Sequence, residues 1–191
     1  MSRTEPREQL TRTIQGALFH AAEAFSELVE AACSPTASKI VMQNVSDLPS
    51  LLGSAEEPMT GVLLTLRRDL GGFLLLLLPT GVADTLVARL LGPHGWDDAL
   101  RTSTLGELGN VVGSAFLNYL ADELEMTVLP SPPQVVEDMV GAVLSTVGAY
   151  LALHGQPEFP VIQTTFRARG LGFGAYLLWL PEALQQLGER H

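Results

Sequence analysis

Glu107 and Asn110 are the residues of this chain best suited to do chemistry. They lie three apart in Arg101-Thr102-Ser103-Thr104-Leu105-Gly106-Glu107-Leu108-Gly109-Asn110, which runs on to Tyr119-Leu120. On a helix that spacing puts both side chains on one face, about 5–6 Å apart at Cβ. A carboxylate, all charge and acceptors, then stands beside a neutral amide that both donates and accepts. The same residues also allow a plainer reading. Thr104-x-x-Glu107 matches a capping box, in which the glutamate only bonds back to the helix start, and Asn110 is then an ordinary surface amide.

The element that must carry the pair is a helix over about 102–125, predicted to start at the Thr-Ser-Thr run with one of those hydroxyls as N-cap. Leu105, Leu108, Val112, Ala115, Phe116, Tyr119 and Leu120 recur at three and four and form its core face, leaving Glu107 and Asn110 on the exposed flank. Before it the pattern predicts a long helix over 8–33 ended by Ser34-Pro35-Thr36, a strand over 39–45 and a loop over 47–58. Strands over 61–68 and 72–78 follow as a hairpin, and then a helix over 80–91 with Thr80 as cap. Phe73 to Leu78 shows no alternation, the mark of a strand covered on both faces. After the central helix come a short strand over 126–129 and Pro130-Ser131-Pro132-Pro133, which is not helix interior. A third long helix is read from Gln134 or Val135 to His154, then a hairpin over 161–167 and 172–180 around Ala168-Arg169-Gly170, and a closing helix over 181–187.

The two halves echo each other. Thr65-Leu66-Arg67, Leu70-Gly71-Gly72-Phe73 and Leu78-Pro79 recur as Thr165-Phe166-Arg167, Leu171-Gly172-Phe173 and Leu180-Pro181. Ala24-Phe25-Ser26-Glu27-Leu28 answers Tyr119-Leu120-Ala121-Asp122-Glu123. The expected architecture is α+β: a pseudo-two-fold tandem repeat whose halves share one antiparallel β-sheet with long helices packed against it. A single domain is expected over 1–191, with half-repeats of about 8–92 and 100–188.

Composition excludes several functions. Of 191 residues 47% are hydrophobic and 17% charged, enough for a core and too few charges for disorder. Twenty-one acidic against 11 basic residues leave a net charge of −10, with Lys39 the single lysine, a balance that repels phosphate backbones and anionic membranes. One cysteine, Cys33, rules out an internal disulfide and reads as a buried small hydrophobe in a reducing compartment. No apolar run approaches the ~20 residues of a spanning helix and none opens the chain as a signal region, so a cytoplasmic protein is expected. His20, His94, His154 and His191 are scattered without ligand spacing, so no metal site is expected. Trp96 reads as a loop tryptophan folded onto its own core.

The central stretch resembles the CheC family of bacterial signalling phosphatases, which includes the CheX proteins. That family's pattern is Ser or Asp, three residues, Glu, two residues, Asn, then twenty-two residues and Pro, and Ser103, Glu107, Asn110 and Pro133 stand at those spacings. The duplicated framework is similar too. The resemblance implies a phosphatase acting on the aspartyl phosphate of a CheY-like receiver domain. It implies no cofactor in this chain, the Mg²⁺ coming with the receiver, and CheD as a possible further partner; either a monomer or a homodimer is compatible. CheC proteins often carry the motif twice. Here Arg12 falls opposite Glu107, Gln15 opposite Asn110 and Ser38 opposite Pro133, so the first copy lacks its acid and one competent site is expected, in the second half.

These residue types suit that chemistry. In-line attack of water through a loose transition state depends on positioning. Asn110, neutral, orients water without adding charge beside the phosphoryl group, as a glutamine does in GTPases. Glu107, an anion, is better placed to pair with a receiver lysine and hold the site in register. Ser103 reads as an N-cap near the partner and Pro133 as a device fixing the chain path. The alternative is a non-catalytic binding module, of the flagellar-switch or CheD-binding kind, in which the pair only docks a partner.

Overall fold

The computed structural model describes residues 4–153, 158–168 and 174–182. Helix α1 (Thr4–Val29) leads into strand β1 (Cys33–Asn44) and a 3-10 turn (Val45–Ser50). The hairpin β2 (Pro58–Arg68) and β3 (Gly72–Pro79) is followed by α2 (Thr80–Leu91) and α3 (Asp98–Glu123). Then come β4 (Val128–Pro130), β5 (Gln134–Met139), α4 (Val140–Leu153) and the strands β6 (Glu158–Ala168) and β7 (Gly174–Pro181).

The seven strands of the described residues form one antiparallel sheet in the order β1-β6-β7-β3-β2, with β4 and β5 both along the far edge of β2. The leading strand of each half is therefore given to the other half's hairpin: β1 pairs with β6, and β5 with β2. The register carries the repeat. Ile40 faces Ile162 on one side of the sheet and Val135 faces Val62 on the other. Stepping Ile40 forward by 95, the separation of Arg12 from Glu107, gives Val135; stepping Ile162 back by 100, the separation of Arg67 from Arg167, gives Val62. The pseudo-two-fold runs between β3 and β7, and it pairs α1 with α3 on one face of the sheet.

Burial follows the two-faced sheet. Leu74 and Leu76 of β3 point with Val62, Leu64 and Trp179 into a core closed by Ala17, Leu18 and Phe25 of α1 and Leu108, Val112 and Phe116 of α3. Leu75 and Leu77 point the other way, to Leu48, Val140, Leu144 and Val147. The unbroken apolar run in β3 is thus the signature of cover on both faces, as expected.

Several boundaries differ from the sequence reading. The helix expected over 134–154 is a strand followed by a helix: Pro133 holds Pro132 extended, and the free edge of β2 takes residues 134–139 before α4 begins at Val140. The first helix ends at Val29 rather than 33, and β1 starts at Cys33 rather than 39; Pro35 is tolerated because β1 is an edge strand with a register shift between Pro35 and Ala37. The loop after β1 opens with a 3-10 turn that buries Leu48 completely. Pro79, not Thr80, is the N-cap of α2, with no side-chain bond. The turn at Arg169-Gly170 and the closing helix expected beyond Glu182 lie outside the described residues.

Candidate functional site

Helix α3 begins a turn earlier than its Thr-Ser-Thr run. Asp97 is its N-cap, the carboxylate accepting the Leu100 N–H at 2.8 Å, because a carboxylate at a helix start answers both free N–H groups and the helix dipole. Ser103 is therefore not an N-cap; it lies inside the helix and is exposed. Thr104 is internal too, its hydroxyl donating back to the Leu100 carbonyl at 2.8 Å. That removes the capping box: Glu107 has no helix start to bond to. Glu107 is exposed and Asn110 half-buried on the same flank, and neither side chain has a hydrogen bond or ion pair among the described residues.

Glycines hold this flank outward. A Cβ at Gly109 would fall inside the van der Waals shell of Val62 on β2, and one at Gly113 inside that of Leu64. The helix thus lies close on the sheet along its glycine face. Gly106 faces Pro133 and Val135, where a Cβ would lie 3.7 Å from the proline ring. Pro133 is itself held from upstream: the Ser131 N–H donates to the Thr65 carbonyl at 2.8 Å and the Thr65 N–H to the Ser131 hydroxyl at 3.0 Å. The fold so brings Pro133 against the helical turn that carries Glu107, a meeting across the break between α3 and β5.

Sequence reasoning missed Arg101. Its guanidinium donates from Nε to Asp84 Oδ1 of α2 at 2.8 Å, with Nη2 also 2.8 Å from that oxygen, and from Nη1 to Glu137 of β5. The side chain is 11% exposed while its carboxylates are about half exposed. Burial works to lower the arginine's pKa; the bonds to Glu137 and Asp84 outweigh it and raise the pKa. The signal in the sequence was a cation in the first turn of a helix, where the dipole disfavours one.

On α1, Arg12 and Gln15 are exposed at the positions equivalent to Glu107 and Asn110. Ser38 sits on β1 with its hydroxyl 3.2 Å from that of Thr164. Between the paired helices His20 stacks on Tyr119, centroids 4.7 Å apart, and its Nδ1 lies 3.4 Å from Glu23. Trp96 is half-buried against the larger core and donates its indole N–H to the Gly92 carbonyl at 3.2 Å. Cys33 is half-buried at the start of β1, and burial raises its thiol pKa, partly offset by Ser26, which keeps it protonated and poorly nucleophilic. Among the described residues no three His, Cys, Asp or Glu gather to hold a metal, and no helix is long and apolar enough to cross a membrane.

A duplicated, strand-exchanged sheet thus carries an acid and an amide side by side on the helix of one half, and known proteins share this fold. A model of the CheC-like family matches residues 100–137, the segment from the start of α3 to β5. The CheY-P phosphatase CheC of Bacillus subtilis (strain 168) is 29% identical over 170 residues, 85% of this chain and 81% of that protein. Among solved structures, Thermotoga maritima FliY has a TM-score of 0.74 at 16% identity, covering 97% of this chain and 94% of that one. The CheX-CheY-BeF3-Mg+2 complex of Borrelia burgdorferi has a TM-score of 0.58 at 14% identity, covering 88% and 96%.

Proposed function

We propose that this chain is a cytoplasmic phosphatase for the aspartyl phosphate of a CheY-like receiver, with one competent site on α3. The observation that carries this is the unpartnered pair: Glu107 and Asn110 stand outward on a helix fixed by its glycine face, with no partner of their own among the described residues. Similarity to a CheY-P phosphatase and the family match over 100–137 support it. Asn110 holds the attacking water in line through its amide, adding no negative charge at the phosphoryl group. Glu107 pairs with a receiver lysine and sets the register of docking. Ser103, one turn earlier on the same flank, belongs to the docking surface, and Pro133 shapes its edge. Mg²⁺ comes with the receiver, and no ligand to it is asked of this chain.

The test is single-turnover decay of a phosphorylated CheY-like receiver at several concentrations of the protein. Acceleration over the receiver's own decay, lost in Asn110→Ala with binding kept, is the expected result. Binding without acceleration would instead make the chain a docking module.

A further inference from the structure

The pair on α3 is held by two kinds of contact. One is apolar: Gly106 against Pro133 and Val135, and Gly109 against Val62. Such contacts set how close the helix lies and which face it turns to the sheet, but they are not directional and leave its fine rotation to polar contacts. The other is directional. Arg101 sits in the first turn of α3, about 9 Å along the axis before Glu107. Its fork reaches Asp84 on α2 and Glu137 on β5 at once. Glu137 lies four residues past Pro133, so guanidinium and glycine face join α3 to the same short stretch of chain at two separate points.

We propose that Arg101 is a positioning residue for the α3 site, fixing the roll of the helix against β5 and α2 so that Asn110 meets the attacking water in line. This rests on the phosphatase reading above. Arginine suits the task because its planar fork holds two carboxylates in set directions, where a lysine is a single point charge. Water placement tolerates little displacement, whereas Glu107 has a long, exposed side chain that follows a partner lysine through a small roll. Loss of Arg101 should therefore appear in the chemical step more than in binding.

The same single-turnover decay tests this, on the full chain with melting followed in parallel. Arg101→Met is expected to lower the maximal rate about tenfold or more while the half-saturating concentration moves by less than about threefold. Arg101→Lys should recover part of the rate. Glu137→Gln, which keeps shape and one hydrogen bond, should give an intermediate loss in a folded protein, and it decides the matter if Arg101→Met does not fold. A folded Arg101→Met or Glu137→Gln with the full maximal rate overturns the proposal. So does a rate loss that vanishes when the assay is run well below the variant's melting temperature. Failure of the phosphatase reading is distinct: it would appear as a wild-type chain that does not accelerate decay, or as Asn110→Ala with the full rate.

Discussion

Asn110 and Glu107 differ in what their removal should cost. Asn110→Ala deletes water positioning, so the maximal decay rate should fall about a hundredfold with little change in complex formation. Glu107→Ala should weaken the complex as well, read as a higher half-saturating concentration. Arg12→Ala and Gln15→Ala, on the equivalent face of α1, should leave decay nearly unchanged; a large loss in either folded variant would put the site in the wrong half. Gly109 sits between the pair, and two effects compete there. Alanine gains about 1 kcal/mol of helix propensity, but its methyl must displace Val62, a branched residue with one favoured rotamer, at about 1–3 kcal/mol. The clash should win, lowering both melting temperature and decay rate. Gly81→Ala on α2 meets nothing within 4 Å and should stabilise. The spacing that marks Glu107 and Asn110 was legible because one residue pair on one helix is a local fact. Arg101's role was not, because its carboxylates come from α2 and β5, seventeen residues before it and thirty-six after.

Elements show the same divide. The first hairpin and α2 are legible because their punctuation is local: Asp69-Leu70-Gly71, the unbroken run of β3, and Pro79 before α2. β5 was not, since Val135 and Val136 fit a helix as well as a strand until the edge of β2 is there to take them. The ends of α1 and α3 carry a detail of their own. Each closes on a glutamate in the left-handed region, Glu30 and Glu125, both at φ 49°. In each the next N–H reaches back five residues, Ala31 to the Ser26 carbonyl at 3.2 Å and Met126 to the Ala121 carbonyl at 2.9 Å. A side chain there costs about 1–2 kcal/mol that glycine avoids, less about 0.4–1 kcal/mol for glycine's freer unfolded chain. Glu30→Gly and Glu125→Gly should each raise stability by about 0.5–1 kcal/mol, or roughly 1–4 °C by thermal melting. Arg89 of α2 caps the first of these ends by donating to the carbonyls of Val29 and Glu30, so Arg89→Ala should loosen α1 and leave the α3 end untouched.

At the scale of the molecule, the proposed reliance on a receiver's Mg²⁺ gives a plain test: calorimetry on the isolated chain should find no tight Mg²⁺ binding, since no ligand cluster forms among the described residues. A tight site would move the metal chemistry into this chain and overturn that part of the proposal. The exchange of β1 and β5 gives another. Among the described residues β1 pairs only with β6, and β5 only with β2, so neither half closes its sheet alone. Residues 1–97 and 98–191 made separately should be unfolded by circular dichroism, and folded signal should return only on mixing.

That exchange also says what a half-chain of this kind would need if it stood alone. A strand that can be completed only by a twin's hairpin makes an obligate homodimer, in which every substitution appears on both sides of the axis. Joining the twins in one polypeptide keeps the mutual embrace, which lives in the strands, but releases the outer faces of the two helices from having to match. One face is then free to carry an acid and an amide while its counterpart carries Arg12 and Gln15. The asymmetry of this molecule is a liberty granted by covalent linkage, and on the phosphatase reading it confines the chemistry to one side of an otherwise balanced body.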